Sequence, residues 1–380
     1  MTARGELQAE DFRWMGRALE LAERGAGLTS PNPMVGAVIV AAGHAVGEGF
    51  HARAGGPHAE IEALAQAGPA ARGATLYVTL EPCNHTGRTP PCADAVKKAG
   101  IRRVVAAMTD PNPRVVGGGT AALSAVGIEV ALGCREREAL LLNRAFLTTA
   151  RWARPHVTLK WAATMDGKTA DRLGASRWIT GAGARLEAHR LRSQADAVVV
   201  GIGTALADDP ALDVRLGTPQ SREPLRVVVD SRARLPVSSR VIRGSEGRGN
   251  PGRAVVAVTD AADPERLAAL EARGATVLRC KAHDGRVDIS DLLARLGEQD
   301  AIGILVEGGG QLAGAFLEAG LVDRIVAFGA PVLLGGTTSP GALGGPGLSL
   351  PEGVRVSDIA IRSVGRDWVI QGDVRRGSER

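Results

Sequence analysis

The sequence has few aromatic residues and little lysine. Only 3% of its 380 residues are Phe, Trp or Tyr, and just five of the 46 basic side chains are lysines. No apolar stretch approaches the ~20 residues that span a bilayer, and the first fifteen residues lack the apolar segment of a signal peptide. The basic residues form no run and no stripe interleaved with aromatics. We therefore expect a cytoplasmic protein with no nucleic-acid or membrane partner.

Cysteine is also scarce. The chain has four cysteines, and residues so few and so unevenly scattered do not form the disulfide framework of a small secreted protein. Cys134 and Cys280 are predicted to be buried free thiols. Cys83 and Cys92 stand nine positions apart and each follows a proline, which invites a metal-binding interpretation of that pair.

The length and the apolar pattern predict two α/β domains. A chain of 380 residues is too long for one average domain. Short apolar runs alternate with helical periodicity, which indicates layered α/β units with mostly parallel sheets. Pro155 interrupts the last helical pattern of the first half, so we predict domains at 1–150 and 155–375. Helices are predicted at 9–25, 58–67, 92–99 and 135–149. Strands are predicted at 35–40, 75–80, 102–108, 128–132, 157–163, 197–201, 226–230, 254–258, 276–279, 303–306 and 324–328.

A histidine, a glutamate and the two proline-preceded cysteines form the first candidate site. His58 and Glu60 open a predicted helix, and Cys83 and Cys92 follow a predicted strand. Catalytic zinc takes three protein ligands and keeps one position for water, which His58, Cys83 and Cys92 could supply. Glu60 would then be the general acid and base. Zinc deaminases of nucleobases have this order, with a glutamate that is not a ligand.

Other interpretations of the same residues stay open. The two cysteines could be a buried structural thiol pair, or the motif could arise by chance. A closed structural zinc site would need a fourth ligand, and His85 could provide it. The usual deaminase signature has two residues between its cysteines, whereas eight separate Cys83 from Cys92. That spacing argues against cytidine and tRNA-adenosine deaminases.

The segments HAE (58–60), TLEPC (79–83) and GRTPPC (87–92) resemble the pyrimidine deaminase domain of the bifunctional riboflavin-biosynthesis deaminase/reductase family, as do PNPMVGAVIV and MTDPNP. The resemblance implies a cytidine-deaminase-like three-layer domain. It further implies that zinc activates water to displace an amino group from a pyrimidine ribosyl phosphate. The residues implied to contact that substrate are Asn32, His51, His85, Arg88, Asp110 and Asn112. Asn and Asp beside proline are also common turn formers.

The second half resembles the reductase domain of the same family. The matching segments are VTLKWAATMDGKTA (157–170), SRWITG (176–181) and VGIGTALADDPALDVR (200–215), and EGGG (307–310) forms a strand-to-helix turn. The resemblance implies a dihydrofolate-reductase-like fold that uses NADPH. The residues implied to contact NADPH are Ala162, Trp178, Thr204, Asp208, Ser231, Gly308, Gly309 and Gly310. Those implied to face the ribosyl phosphate are Lys160, Ser176, Arg192, Leu212, Arg215 and Glu307.

Purely structural roles are the alternatives to ligand binding: the glycines could form a tight turn, Trp178 could be a core residue, and the arginines could be solvated surface residues. Arginine is nevertheless suited to bidentate phosphate binding. We expect a homo-oligomeric enzyme that removes an amino group from the pyrimidine with Zn²⁺ and then reduces the ribosyl chain to ribityl with NADPH. The rival functions are a nucleic-acid base deaminase with an appended domain, and a zinc-stabilised nucleotide-binding module without turnover.

Overall fold

A computed structural model describes residues 6–85, 90–111, 118–217, 223–243 and 253–375. The chain divides into two compact units, Met1–Ala153 and Arg154–Arg380. Each unit has its own buried apolar core. Among the described residues, no helix combines the length and the apolar character needed to cross a membrane.

The first unit is built on a five-stranded sheet of order β2-β1-β3-β4-β5. β1 pairs antiparallel with both β2 and β3, whereas the β3–β4 and β4–β5 pairs are parallel. Its elements in chain order are α1 (Ala9–Glu23), β1 (Gly36–Ala41), β2 (His44–Phe50), α2 (Ala59–Ala67), β3 (Thr75–Val78), α3 (Cys92–Ala99), β4 (Arg103–Ala106), α4 (Gly118–Ser124), β5 (Glu129–Leu132), α5 (Glu136–Leu142) and α6 (Arg144–Trp152).

Two glycines let helices pack closely on opposite faces of this sheet. A Cβ atom on Gly36 would lie 2.0 Å from the Ala18 carbonyl oxygen of α1. A Cβ atom on Gly49 would lie 2.4 Å from the Ala59 carbonyl oxygen of α2. Gly36 and Gly49 occupy successive rungs of the β1–β2 pair, so they point to opposite faces. The sheet is therefore covered on both sides, which confirms the predicted three-layer arrangement.

A buried ion pair joins α1 to the first residue of β4, an interior strand of the sheet. Both Nη atoms of Arg103 donate to the Asp11 carboxylate, at 2.7 and 3.0 Å, and the Tyr77 hydroxyl donates to the same group at 3.0 Å. Burial opposes ionisation of Asp11, but the hydrogen bonds from Arg103, from the Gln8 N–H and from Tyr77 outweigh it and lower the pKa of Asp11. The Asp11–Arg103 pair thus anchors α1, and loss of either partner would leave the other charge buried without it.

The second unit is built on a nine-stranded sheet of order β10-β9-β8-β7-β13-β6-β14-β16-β15, beside a small β11–β12 hairpin. Neighbours from β10 to β14 are parallel, and β16 and β15 extend the sheet antiparallel. Its elements are β6 (His156–Thr164), α7 (Ala182–Gln194), β7 (Ala197–Gly201), α8 (Ile202–Asp208), β8 (Leu225–Val229), α9 (Arg240–Arg243), β9 (Ala254–Val258), α10 (Pro264–Glu271), β10 (Thr276–Arg279), β11 (Ala282–His283), β12 (Arg286–Val287), α11 (Ile289–Gly297), β13 (Gly303–Glu307), α12 (Gly310–Glu318), β14 (Arg324–Ala330), β15 (Val356–Val364) and β16 (Asp367–Val374).

The predicted strands are all present, and their ends agree within two residues. The prediction of one helix over 135–149 is wrong, because Asn143 separates α5 from α6. The side chain of Asn143 bonds the backbone of Met34, accepting from its N–H at 2.7 Å and donating to its carbonyl oxygen at 2.9 Å. The mostly parallel arrangement holds for the second sheet, whereas the first sheet has two antiparallel pairs among its four.

The Asp11–Arg103 pair yields a test of stability. Replacement Asp11→Asn should remove the buried carboxylate partner of Arg103 and leave only the half-exposed Glu129, at 2.9 Å from its Nε, which should cost about 3 kcal/mol. The matched change Asp94→Asn removes a carboxylate that is 63% exposed and paired with Lys97, and it should cost about 0–1 kcal/mol. Denaturant unfolding of the full chain, followed by circular dichroism, measures both.

The pH dependence of the same variant follows from the lowered pKa of Asp11. A carboxylate with a depressed pKa contributes stability that is fully present above its unfolded pKa of about 3.9. That contribution is lost as the pH falls through the folded pKa. The stability difference between the wild type and Asp11→Asn should therefore narrow below about pH 4. A difference that is small at pH 7, or independent of pH, would contradict the assignment.

Candidate zinc centre and reductase site

Three predicted metal ligands meet at one point in the first unit. His58 directly precedes α2, Cys83 lies in the loop after β3, and Cys92 is the first residue of α3. The Nδ1 atom of His58 lies 3.1 Å from the Cys92 Sγ and 3.6 Å from the Cys83 Sγ. All three ligand atoms lie within 4.8 Å of one another. One ion could therefore contact all of them.

This donor set fits zinc. Zinc is bound by cysteine thiolates and histidine nitrogens, and a catalytic site uses three such ligands. The hydrogen bond with Cys92 lowers the pKa of the Cys83 thiol, and the same contact raises the pKa of Cys92. The Cys92 N–H also donates to the Cys83 Sγ at 3.3 Å. Cys83 is thus prepared as a thiolate, and a cation bound between the pair would displace the proton of Cys92.

Glu60 lies in the first turn of α2 and is only 3% exposed. Burial raises the pKa of its carboxyl, and the carboxyl interacts with the Cys92 thiol. A glutamate with a raised pKa beside a group of metal-ligating side chains is suited to accept and donate a proton in turn. Glu60 does not belong to the group of three metal-ligating atoms found among the described residues. The geometry therefore leaves it available for proton transfer.

Asn32 and His51 are brought together beside this cluster. The rings of His51 and His58 meet edge to face with their centroids 5.7 Å apart. Burial lowers the pKa of His51, so the ring is neutral. Its Nδ1 lies 2.9 Å from the Pro57 carbonyl oxygen, to which it donates, and its Nε2 accepts from the Asn32 amide at 3.0 Å. The neutral imidazole thus orients the Asn32 amide.

A second buried glutamate, Glu81, supports the same region, and it was not among the predicted site residues. Its Oε1 accepts from both the N–H and the hydroxyl of Thr120 at 2.9 Å, and its Oε2 accepts from the Asp110 N–H at 3.2 Å. Glu81 therefore anchors the backbone of Asp110, a predicted substrate residue. Its position in the TLEPC segment, two residues before Cys83, could have indicated this role from the sequence.

The remaining predicted deaminase residues are not part of the cluster. His85 is exposed and does not join the described metal-ligating group, so that group contains no fourth ligand. Arg88 and Asn112 lie outside the described residues. The described part of the site therefore consists of the three ligands, Glu60, and the pair formed by Asn32 and His51.

In the second unit, three predicted substrate residues form a buried charge cluster. Lys160 of β6 and Glu307 of β13 are direct partners across two parallel strands. The Glu307 carboxylate accepts from Nε and Nη2 of Arg192, at 2.6 and 2.9 Å, and from the Lys160 Nζ at 3.5 Å. Burial opposes ionisation of Glu307, but the charges of Arg192 and Lys160 outweigh it and lower its pKa to about 2. The cluster carries one net positive charge.

Other predicted reductase residues gather at the turns after β7 and β13. A Cβ atom on Gly309 would lie 2.9 Å from the Thr204 hydroxyl oxygen, so the two turns are in contact. The Ser176 hydroxyl donates to the Asp208 carboxylate at 3.0 Å. Trp178 is 67% exposed, which argues against a role in the core.

Two arginines flank Trp178, and the remaining predicted reductase residues lie in separate parts of the second unit. The guanidinium groups of Arg177 and Arg185 lie 5.8 and 4.6 Å from the Trp178 ring centroid. The predicted residues not yet placed have four separate settings. Ala162 packs in the apolar cluster around Phe328, and Gly310 is the first residue of α12. Leu212 is buried and has a positive φ, and the Arg215 guanidinium donates two hydrogen bonds to the Asp213 carboxylate. The Ser231 hydroxyl accepts from the Val287 N–H at 3.0 Å, away from these turns in sequence.

Two family models match the chain. The cytidine and deoxycytidylate deaminase zinc-binding region matches residues 8–108, and the RibD C-terminal domain matches residues 155–370. The riboflavin biosynthesis protein RibD of Aquifex aeolicus is 44% identical over 360 residues, covering 95% of this chain and 97% of the relative. The protein of the same description from Escherichia coli K12 is 44% identical over 370 residues, covering 94% and 98%.

Solved structures match over the same extent. Acinetobacter baumannii RibD, at 39% identity, superposes with a TM-score of 0.85 and covers 97% of this chain and 99% of the other. The Thermotoga maritima diaminohydroxyphosphoribosylaminopyrimidine deaminase/5-amino-6-(5-phosphoribosylamino)uracil reductase, at 35% identity, has a TM-score of 0.81 with 96% and 99% coverage. These similarities therefore cover both units of the chain.

The three-ligand cluster predicts the metal content. The wild-type chain should hold one zinc ion, and Cys83→Ser should lose it because a hydroxyl replaces one of only three protein ligands. Cys280→Ser is the control, since it changes a buried thiol of the second unit and should leave zinc at one per chain. Elemental analysis of the dialysed proteins measures this, after circular dichroism has shown that both fold. Stoichiometric zinc in Cys83→Ser would rule out the ligand set.

Proposed function

The chain belongs to the RibD family of riboflavin-biosynthesis proteins, and from this membership we propose how its two units divide the chemistry. It is a bifunctional enzyme with a zinc-binding deaminase domain followed by a reductase domain. The observation that carries the proposal is the convergence of His58, Cys83 and Cys92 beside the buried carboxyl of Glu60. A purely structural zinc site would have no need of that carboxyl.

The deaminase unit acts, in this proposal, on 2,5-diamino-6-(5-phosphoribosylamino)pyrimidin-4-one. His58, Cys83 and Cys92 hold zinc, which when bound would supply an activated water molecule. Glu60 would accept a proton from that water and return one to the departing amino group, and burial raises the pKa of its carboxyl as such a role requires. Burial of Glu60 also keeps bulk water away from the proton it carries.

Asn32 and His51 orient the pyrimidine in this proposal. The His51 ring accepts a hydrogen bond from the amide nitrogen of Asn32. In the described part of the chain, the side-chain carbonyl oxygen of Asn32 accepts no hydrogen bond. That oxygen can accept from an amino or ring N–H group of the base. Asp110, His85, Arg88 and Asn112 complete the proposed substrate contacts.

The reductase unit is proposed to use NADPH. The bound cofactor would supply the hydride that converts the ribosyl chain to ribityl. Thr204 and the Gly308–Gly310 turn provide a place where backbone can approach the cofactor closely, and exposed Trp178 offers a flat surface. Ala162, Asp208 and Ser231 complete the proposed cofactor contacts.

The charge cluster formed by Lys160 of β6, Glu307 at the end of β13 and Arg192 of α7 is the proposed site of the ribosyl phosphate. Because Glu307 occupies two donors of Arg192, the arginine holds Glu307 in place, and the net positive charge of the cluster is left to attract the phosphate. Lys160 is 15% exposed at its side chain and can reach a ligand. Ser176, Leu212 and Arg215 complete the proposed contacts.

We also propose that the enzyme is a cytoplasmic homo-oligomer acting on a small molecule, without a nucleic-acid or membrane partner. The edge strand β15 supports self-association, because Ile359 and Ile361 are 57% and 68% exposed on it. An apolar sheet edge of this kind is ordinarily covered by another chain or kept short.

Glu60 provides the sharpest test of the deaminase. Glu60→Gln keeps the size of the side chain but removes the group that shuttles the proton, so ammonia release should fall by about 100-fold or more. Zinc content and NADPH oxidation with the deaminated intermediate should be unchanged. The control is Glu62→Gln, an exposed glutamate on the same helix, which should deaminate normally. Near-normal ammonia release by Glu60→Gln would mean that another group moves the proton.

Arg192 provides the corresponding test of the reductase. Arg192→Lys keeps the charge but loses the paired contacts with Glu307, so reduction should fall by about 10- to 100-fold. Ammonia release from the first substrate should not change. Arg190→Lys is the matched control, because Arg190 lies on the same helix with its side chain 55% exposed. Equal loss in both variants, or loss of both activities in Arg192→Lys, would contradict the assignment.

A further inference from the structure

A cavity of about 1260 Å³ in the second unit lies apart from the charge cluster of Glu307. Gly201 and Val229, the last residues of β7 and β8, form part of its wall, and α12 and the β11–β12 hairpin form other parts. Of the residues predicted to bind a cofactor, Ser231 lines this cavity and the others do not. The cavity therefore needs an explanation of its own.

The position of the cavity in the sheet suits a nucleotide. β7 and β8 are adjacent and parallel, so their carboxyl ends lie at the same edge of the sheet. The chain moves outward from β7 to β10 and then returns with β13, which inserts between β7 and β6. In open α/β sheets, ligands bind outside the carboxyl ends of the strands where the strand order reverses in this way.

The cavity continues from the turn assigned above to the cofactor. Gly203 lines the cavity, and its neighbour Thr204 contacts Gly309 at the turn after β13. Gln311, one residue into α12, lines the cavity as well. A dinucleotide with one half at the Thr204–Gly309 contact would therefore extend its other half into the cavity.

Two of the arginines that line this cavity have no partner among the described residues. In the described part of the chain, the guanidinium groups of Arg232 and Arg286 have neither a hydrogen bond nor an ion pair. The hydrogen bond between Ser231 and Val287 joins the loop after β8 to the hairpin, so Arg232 and Arg286 flank it on adjacent backbones. Arg234, a third lining arginine, is held near the buried Asp230, with Nε 3.7 Å from Oδ1.

The acidic residues of the cavity do not neutralise this pair. Asp288 accepts from the Asp291 N–H and caps α11, Asp284 lies 3.7 Å from His283 at the tip of the hairpin, and Glu318 lies at the end of α12. Two guanidinium groups that line the same cavity, with no partner among the described residues, are a suitable site for a phosphate monoester, because each can donate two parallel hydrogen bonds to its oxygens.

We propose that Arg232 and Arg286 bind the 2′-phosphate of NADPH and make the reductase prefer NADPH to NADH. The inference rests on the proposed use of a nicotinamide cofactor, which supplies the dinucleotide that fills the cavity. The 2′-phosphate is the chemical group by which NADPH differs from NADH. Arg234 is predicted to contribute less, since Asp230 already offsets its charge.

Calorimetric titration of the full-length protein tests this without measuring turnover. The wild type should bind NADPH more tightly than NADH, and 2′,5′-ADP more tightly than 5′-AMP. Arg232→Gln and Arg286→Gln should each weaken NADPH and 2′,5′-ADP binding by about 10- to 100-fold, the loss expected for a charge-assisted hydrogen bond. Binding of NADH and 5′-AMP should change little. Arg273→Gln, at an exposed position after α10, is the control for loss of one positive charge.

The outcomes separate this inference from the function it rests on. If the wild type prefers NADPH but both cavity variants keep that preference as fully as Arg273→Gln does, the two arginines do not bind the 2′-phosphate and the cofactor assignment stands. If the wild type binds neither dinucleotide, the proposed cofactor is wrong and the inference fails with it. A parallel loss of NADPH and NADH binding in the variants would also overturn the inference, since it would mean a general effect on the cavity.

Discussion

The close packing of α2 on β2 determines where the deaminase chemistry takes place. His58 precedes this helix and Glu60 lies in its first turn, so the helix carries one metal ligand and the acid–base group together. Gly47 and Gly49 let the helix backbone approach the strand, since a Cβ on either residue would lie within 2.4 Å of a carbonyl oxygen of α2. The burial that raises the pKa of Glu60 follows from the same contact. Any side chain larger than hydrogen on β2 at these positions would displace the catalytic group.

In the second unit, strand register has a comparable role. Lys160 and Glu307 are direct partners on β6 and β13, which places opposite charges side by side on two interior parallel strands. Arg192 from α7 completes the cluster. A buried ionised carboxylate is tolerated only when it is paired in this way, so the cluster stabilises the end of the sheet and offers its residual positive charge to a ligand. The first unit thus depends on a buried carboxyl whose pKa is raised, and the second on a buried carboxylate whose pKa is lowered.

The sequence was sufficient for eleven strands, and it placed His58, Glu60, Cys83 and Cys92 in one candidate site, because each rests on local pattern or short spacing. It was insufficient where long-range packing decides. β2 was missed because Gly47 and Gly49 weaken the apolar alternation that predicts a strand, although those glycines are required by α2. β15 and β16 were missed because β15 is exposed on both faces. Glu81 was not predicted, although it stands in the TLEPC segment, because its role depends on Asp110 and Thr120 farther along the chain.

X-ray absorption at the zinc edge of the wild-type protein tests the central claim, that three ligands hold a zinc ion with an open position for water. The account predicts two sulfur atoms at about 2.3 Å and two lighter atoms at about 2.0–2.1 Å, of which one belongs to a single histidine. Addition of a pyrimidine substrate analogue should alter the lighter shell and leave the sulfur shell unchanged. A spectrum with two histidines that does not respond to the analogue would instead indicate a closed structural site with His85 as the fourth ligand, and would contradict the account.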